Sequence, residues 1–203
     1  MASDFHTHNT TRDDIPALIS SEKILPGKLF SLQIHPWYLP EKYTPLSPEI
    51  KDRLSAASAL GEIGLDKIHG TNYQTQQKYL VELFKLASDY RKPVVLHIVK
   101  SYQELFDLLK PFDLKVMIHG FRSSPQLLQE LWKRNITVSF HHRITKNDSL
   151  IKQLKNANGA FGFESDDFDD IFVEELISEL SEKYKIPDLE KVTDQNFANF
   201  LEL

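Results

Sequence analysis

Histidines and a carboxylate that could bind a divalent cation follow short apolar runs in this chain of 203 residues. His6 and His8 form H-x-H, and the two-residue period of a strand places both imidazoles on one face. Glu62 follows an apolar stretch, where a carboxylate must either reach a cation or be buried unpaired at a cost. Imidazole and carboxylate ligands suit Zn, Mn, Ni or Fe, and oxygen-rich sites suit Mg. These residues predict a metal centre built from nitrogen and oxygen ligands.

Three further candidates end other apolar runs. His97 ends P-V-V-L-H and His119 ends K-V-M-I-H, each after a run apolar enough to be buried on both faces of a sheet. Asp166 follows G-A-F-G-F-E-S in the same way. Four histidines and two carboxylates exceed the needs of one closed tetrahedral site, so we expect one or two cations. We expect Glu62 and Asp166 to be catalytic, Glu62 by bridging two cations and Asp166 by handling a proton. The predicted metal ligands are His6, His8, Glu62, His97, His119 and Asp166.

A seventh residue, His35, follows S-L-Q-I and precedes Pro36 at a predicted strand end. We expect it on the same face as the ligands, where it would hydrogen-bond a phosphate or carbonyl oxygen of the substrate. The alternative is that His35 orders the loop leading to Trp37 and Tyr38. For S-F-H-H at Ser139 to His142, the sequence does not decide whether either histidine enters the site.

Composition limits the class of protein. Hydrophobic residues make up 41% and charged residues 26%, which is typical of globular proteins. The absence of cysteine excludes disulfides, thiolate nucleophiles and sulfur-based metal sites. A net charge of -5 argues against broad electrostatic wrapping of nucleic acid, but not against a nuclease that holds phosphate through cations. No run approaches the roughly 20 apolar residues of a membrane span, and the first residues do not resemble a signal peptide. We therefore expect a cytoplasmic protein with no membrane contact and no obligate protein partner.

Short β-branched or aromatic runs alternate with segments of helical spacing, which is typical of repeated βα units and of the α/β class. Eight such runs predict a (β/α)8 TIM barrel over one domain, residues 1–203, with seven strands if Pro16 to Ser20 does not pair. The fold usually needs about 250 residues, so we expect a distorted barrel, shortened near the N-terminus, with short or absent helices in Asn9 to Lys28. The predicted strands are Asp4 to His8, Pro16 to Ser20, Leu29 to Trp37, Ala59 to Leu65, Pro93 to Val99, Lys115 to Phe121, Ile136 to His141 and Ala160 to Asp166. The predicted helices are Tyr73 to Tyr90, Ser101 to Lys110, Pro125 to Arg134, Asn147 to Lys155, Asp169 to Tyr184 and Thr193 to Leu203.

Six ordered motifs together resemble the TatD family of metal-dependent deoxyribonucleases in the amidohydrolase superfamily. They are D-F-H-T-H at Asp4 to His8, I-H-P-W at Ile34 to Trp37, G-E-I-G-L-D at Gly61 to Asp66, P-V-V-L-H at Pro93 to His97, I-H-G-F at Ile118 to Phe121 and E-S-D at Glu164 to Asp166. The ending D-Q-N-F-A-N-F-L at Asp194 to Leu201 is similar to that family's last helix.

The resemblance implies a distorted TIM barrel that hydrolyses phosphodiesters, most often DNA, with one or two divalent metal ions. It further implies that His6 and His8 with Glu62 and Asp166 hold one cation. Glu62 with His97 and His119 would hold a second cation, and His35 would lie near the substrate phosphate.

The chain departs from the family pattern outside the predicted ligands. The segment before I-H-P is much shorter, and Val99 with Lys100 stands where the family commonly has a basic residue two positions after the histidine. Asp167 and Phe168 replace a proline-aromatic pair. Two alternatives to a nuclease stay open: an amidohydrolase that acts on a small ester or amide, and a non-catalytic metal-binding protein.

Overall fold

The computed structural model describes residues 2–168 and 170–203. Eight parallel strands follow one another in chain order and close into a barrel, with helices interleaved between them. This topology confirms the predicted α/β class and (β/α)8 TIM barrel. The strands are β1 (Asp4–Thr7), β2 (Ala17–Ser21), β3 (Phe30–Leu32), β4 (Ala59–Asp66), β5 (Val94–Val99), β6 (Val116–Ile118), β7 (Thr137–Phe140) and β8 (Phe161–Phe163).

Seven α-helices lie in the described residues. They are α1 (Glu49–Ala56), α2 (Tyr73–Tyr90), α3 (Tyr102–Leu109), α4 (Pro125–Lys133), α5 (Asp148–Leu154), α6 (Val173–Tyr184) and α7 (Leu189–Leu201). Two short 3-10 helices span Pro36–Tyr38 and His142–Lys146. Within the part of the chain that the structure describes, no helix combines the length and the apolar character needed to cross a bilayer.

The longest helix, α2, has the predicted bounds because its ends are capped by its own sequence. The Asn72 side chain accepts a hydrogen bond from the Gln74 amide, and Arg91 ends the helix in the left-handed conformation. Leu80, Phe84 and Ala87 lie along one buried stripe, as their helical spacing predicts.

The shortening expected near the N-terminus is confirmed. In the described chain, no helix lies between Thr7 and Ala17 or between Ser21 and Phe30. The chain there turns directly from one strand to the next, which removes two crossover helices from the usual barrel.

The chain divides into two compact units. One unit comprises Ser20 to Val116, and the other comprises the residues up to Ile19 together with those from Met117 onward. In the first, the core includes Phe30, Leu60 and Phe84, all fully buried. In the second, the Phe5 ring contacts Phe197 with centroids 5.3 Å apart and occupies the space where a side chain on Gly162 would lie. The expectation of one domain over residues 1–203 stays a prediction.

The structure differs from expectation at three boundaries and in one unpredicted helix. The strand predicted from Leu29 to Trp37 is wrong beyond Leu32, because Pro36 lacks an N–H and begins a 3-10 helix. Helix α1 was not predicted, and α7 begins at Leu189 rather than Thr193. The predicted start of α6 at Asp169 lies outside the described residues, and the helix begins at Val173.

Several predicted strands also extend too far at their carboxyl ends. The strands end at Thr7, Ile118, Phe140 and Phe163, so the candidate site residues His8, His119, His141 and Asp166 follow them in loops. The loops after parallel strands are where barrel folds build their sites.

Candidate metal centre

His6, His8 and Asp166 bring their ligand atoms within 4.8 Å of one another. Oδ1 of Asp166 lies 3.9 Å from Nε2 of each histidine. The backbone holds this arrangement, because the Asp166 amide donates to the His6 carbonyl at 2.9 Å and the His8 amide donates to the Asp166 carbonyl at 3.1 Å. Asp166 has a φ of 56°, in the left-handed region that aspartate tolerates better than most residues. The carboxylate is therefore fixed beside both imidazoles.

A second candidate ligand group consists of His119, Glu164 and Asp166, so Asp166 belongs to both groups. Nδ1 of His119 lies 3.5 Å from Oε1 of Glu164, and the His119 ring lies 4.4 Å from the His6 ring between centroids. Complete burial raises the pKa of Glu164, but hydrogen bonds and charge from His119, the charge of His6 and the Ser139 hydroxyl outweigh burial and hold this pKa below its usual range. An ionised Glu164 is an additional candidate ligand.

Buried Asp4 supports the E-S-D segment that contains Glu164 and Asp166. The Ser165 amide donates to Oδ1 of Asp4 at 3.1 Å, and the Ser165 hydroxyl donates to Oδ2 at 2.6 Å. Burial raises the pKa of Asp4 to about 6, although the bonds from Ser165 and the charge of Arg12 oppose this rise. The first residue of β1 thus ties the end of β8 to the strand that carries His6.

In the other unit, Glu62 lies between His35 and His97. Oε1 of Glu62 is 3.3 Å from Nε2 of His35 and 3.3 Å from Nδ1 of His97. Glu62 belongs to β4 and His97 to the adjacent strand β5, in which His97 is in register with Gly64. Strand pairing brings together two residues that the sequence separates, and all three ligand atoms lie within 4.8 Å of one another.

Asp66, on the far side of His97 from Glu62, orients that ring. Its Oδ2 accepts a hydrogen bond from Nε1 of Trp37 at 2.7 Å and lies 3.3 Å from Nε2 of His97. Burial raises the pKa of Asp66, but the bonds from Trp37, from the amides of Ile68 and His69, and from His97 hold this pKa below its usual value. An ionised Asp66 carboxylate can only accept a hydrogen bond, so the proton of His97 lies on Nε2. The lone pair of the other ring nitrogen, Nδ1, therefore faces Glu62.

His35 differs from His97 in the atom that is already engaged. Its Nδ1 accepts a hydrogen bond from the Trp37 amide at 3.2 Å. A neutral imidazole with an accepting Nδ1 carries its proton on Nε2, and that atom faces Glu62. This tautomer is suited to donating a hydrogen bond and is unsuited to coordinating a cation through Nε2. The geometry favours the expected substrate contact of His35, which stays a prediction.

His141 and His142 belong to none of the candidate ligand groups that the described residues form. Nδ1 of His141 accepts a hydrogen bond from the Arg143 amide at 3.1 Å and so caps a 3-10 helix. Burial lowers the pKa of His141 to about 4, with further lowering by Arg122 and Arg143 and an opposing effect of Glu164. The His142 ring packs edge-on against Phe168 at 4.6 Å between centroids.

All six predicted ligands lie in groups of three whose nitrogen and oxygen atoms suit a divalent cation. His6, His8, His119 and Asp166 lie in one unit, and Glu62 and His97 lie in the other. The bridging role of Glu62 stays a prediction. Sequence reasoning missed Glu164 and Asp66 as functional residues, although the strand period places Asp66 on the same face of β4 as Glu62.

Known proteins are similar to this chain in sequence. The model of the TatD-related DNase family matches residues 4–166. A metal-dependent hydrolase of Escherichia coli, YjjV, is 36% identical over 104 residues, which is 47% of this chain and 40% of that protein. A putative deoxyribonuclease of Vairimorpha ceranae, a TATDN1 homolog, is 26% identical over 132 residues, which is 63% of this chain and 47% of that protein. The chain therefore spans less than half the length of these curated relatives.

Solved structures share the fold. The crystal structure of the TatD homologue YjjV from Escherichia coli superposes with a TM-score of 0.75 at 18% identity and covers 100% of this chain and 98% of that one. A TatD family hydrolase from Entamoeba histolytica gives a TM-score of 0.72 at 13% identity, covering 98% of this chain and 97% of that one. Such likeness supports the closed parallel barrel.

Proposed function

The chain belongs to the TatD-related DNase family, and we propose that it hydrolyses phosphodiester bonds of DNA with one or two divalent cations. The observation that carries the proposal is the group formed by His6, His8 and Asp166, in which backbone hydrogen bonds hold one carboxylate beside two imidazoles. A purely structural role gives no reason to gather acceptor atoms in this way. A cytoplasmic location, with no obligate protein partner, stays a prediction.

The residues present fit a bound cation, because each group offers imidazole nitrogen and carboxylate oxygen. His6, His8 and Asp166 would hold one cation, and Glu62 and His97 would contribute to a second. When bound, a divalent cation neutralises charge on a phosphoryl oxygen and makes water a stronger acid at neutral pH. Zn, Mn, Mg, Ni and Fe all remain candidates.

The side chains themselves perform three tasks in this proposal. Asp166, held by its backbone bonds to β1, accepts the proton of the attacking water. His35 donates from Nε2 to an oxygen of the phosphate group on which negative charge develops. Asp66 keeps the His97 ring in one orientation and one tautomer.

A turnover screen tests the proposal. Purified protein is incubated with Mn, Zn or Mg and offered single-stranded DNA, bis-(p-nitrophenyl) phosphate and simple carboxylic esters. We expect hydrolysis of both phosphodiesters and its loss in Asp166→Asn. Hydrolysis of esters alone would point to the amidohydrolase alternative, and bound metal without any turnover would point to a non-catalytic metal-binding protein. Either result would overturn the proposal.

A further inference from the structure

Two large aromatic side chains are exposed directly after His35. Trp37 retains 43% of its accessible surface and Tyr38 retains 71%, whereas His35 retains 8%. We propose that Trp37 and Tyr38 form a stacking subsite for the nucleobase next to the phosphodiester that is hydrolysed. This inference rests on the proposed function and adds to it how the base of the substrate is bound.

The position of the two rings beside the candidate centre identifies the occupant. The Trp37 centroid lies 4.9 Å from that of His35 and 5.5 Å from that of His97, and the Tyr38 centroid lies 5.6 Å from that of His35. A ligand bound to His35 would therefore lie close to both aromatic rings. The occupant is the substrate itself, since the part of a nucleotide next to its phosphate group is the sugar and its base.

The Trp37 ring is held in place before any ligand arrives. Its Nε1 donates to Asp66 at 2.7 Å, and the His69 ring lies beside it with centroids 5.3 Å apart and the two planes tilted by 51°. Gly70 has a φ of +88°, and a side chain there would come within 3.0 Å of the Trp37 Cα, so the segment after β4 packs closely under the 3-10 helix. A ring fixed in this way loses little entropy when it stacks on a ligand.

The chemistry of the subsite favours binding of a nucleobase but does not discriminate between the four bases. Every nucleobase has an aromatic face, so stacking on tryptophan and tyrosine tolerates any sequence. The Trp37 Nε1 hydrogen is already used by Asp66, which leaves the ring face and not a hydrogen-bond donor for the ligand. The subsite therefore predicts binding of unpaired nucleotides of any base, in preference to sugar-phosphate chains that lack bases.

Tryptophan fluorescence reads this contact directly. The chain has two tryptophans, of which Trp132 is buried at 3% exposure and Trp37 is exposed. In Trp132→Phe, all tryptophan emission comes from Trp37. The metal-loaded protein is titrated with a phosphorothioate thymidine tetramer, which resists hydrolysis, and with a tetramer of the same backbone that carries abasic residues. We expect the thymidine tetramer to quench Trp37 and the abasic tetramer to leave its emission unchanged.

Kinetics provides the second readout. Tyr38→Ala should raise KM for a thymidine oligonucleotide about tenfold, with kcat within about twofold, and should leave KM for an abasic oligonucleotide unchanged. Trp37→Phe, which keeps an aromatic ring, should raise KM less than Trp37→Ala. The matched control is Tyr43→Ala, because Tyr43 is also exposed but packs on Tyr79.

Three results would overturn the inference: equal quenching by both tetramers, an unchanged KM in Tyr38→Ala, or a fall in kcat alone. Failure of the proposed function has a different signature. In that case no phosphodiester is hydrolysed by any variant, while quenching by the thymidine tetramer alone still supports a base-stacking subsite.

Discussion

The backbone amide of Trp37 donates a hydrogen bond of 3.2 Å to Nδ1 of His35. This single contact assigns the proton of the neutral imidazole to Nε2, the atom that faces Glu62, whereas the His97 nitrogen that faces Glu62 carries the lone pair. A residue next to the centre can thus be a hydrogen-bond donor because a neighbour in the chain occupies its other nitrogen.

His35→Ala should lower kcat/KM for a phosphodiester by roughly 10²-fold, because a donor to developing negative charge is lost. Bound metal, measured by elemental analysis, should stay at the wild-type level. His35→Asn, which keeps a donor of shorter reach, is the matched variant and should lose less activity. Release of metal by His35→Ala, with unchanged turnover per bound metal, would make His35 a ligand instead.

Asp66→Asn should weaken metal binding by about 10- to 100-fold, since it removes the charge that orients the His97 ring. Direct metal titration measures this change, and turnover should recover at higher metal concentration. The control is Glu104→Gln, which breaks the exposed ion pair with Lys67 and should leave metal affinity unchanged. Loss of turnover at saturating metal with normal affinity would count against the orienting role, provided that Tm is retained.

Asp166→Asn should reduce turnover by about 10²- to 10⁴-fold, as expected when a proton acceptor is removed, and should also weaken the bound cation. Asparagine tolerates the left-handed backbone at this position, so the variant tests the carboxylate and not the fold. Asp167→Asn removes a neighbouring exposed carboxylate and serves as control. Equal losses in the two variants would show that general charge around His8, rather than the fixed carboxylate, supports activity.

Removal of metal by a chelator should abolish turnover, and addition of Mn, Zn or Mg should restore it.

Ligating imidazoles must be neutral, so activity and metal affinity should fall together below the ordinary imidazole pKa of about 6.5. Equilibrium metal titrations measure the affinity at several pH values, and turnover assays at the same pH values measure the activity. An activity optimum near pH 4 to 5, about two units below that pKa, would contradict metal-ligating histidines.

Because His141 is buried, we expect the folded protein to lose stability in acid. Burial lowers its pKa to about 4 from 6.5, so between these values the unfolded chain binds a proton that the folded protein does not. The free energy of unfolding therefore falls as the pH falls through this window. His141→Asn keeps an acceptor for the Arg143 amide and removes the titrating group, so urea unfolding of this variant should depend less on pH. An identical pH dependence in both proteins would refute the prediction.

The architecture and the ligand types could be predicted because they depend on local patterns. Eight apolar runs specify strands, H-x-H specifies two neighbouring imidazoles at the end of a strand, and α2 has capping residues at both ends. One misassigned segment was Leu29 to Trp37, where apolar composition resembles a long strand but Pro36 imposes a 3-10 helix. The early shortening followed from the chain length and from the lack of space for full helices in Asn9 to Lys28.

By itself, the sequence determined six candidate metal ligands and that they lie in or just after parallel strands, since both depend on residue type and strand period. Only the tertiary structure decided which neighbours each of them contacts. Trp37 and Asp66 are 29 residues apart, and their hydrogen bond exists because the loops after β3 and β4 pack together. The same holds for Ser139, which bonds Glu164 across neighbouring strands β7 and β8. Proton positions and ionisation depend on such partners, and no local pattern records which distant groups will meet.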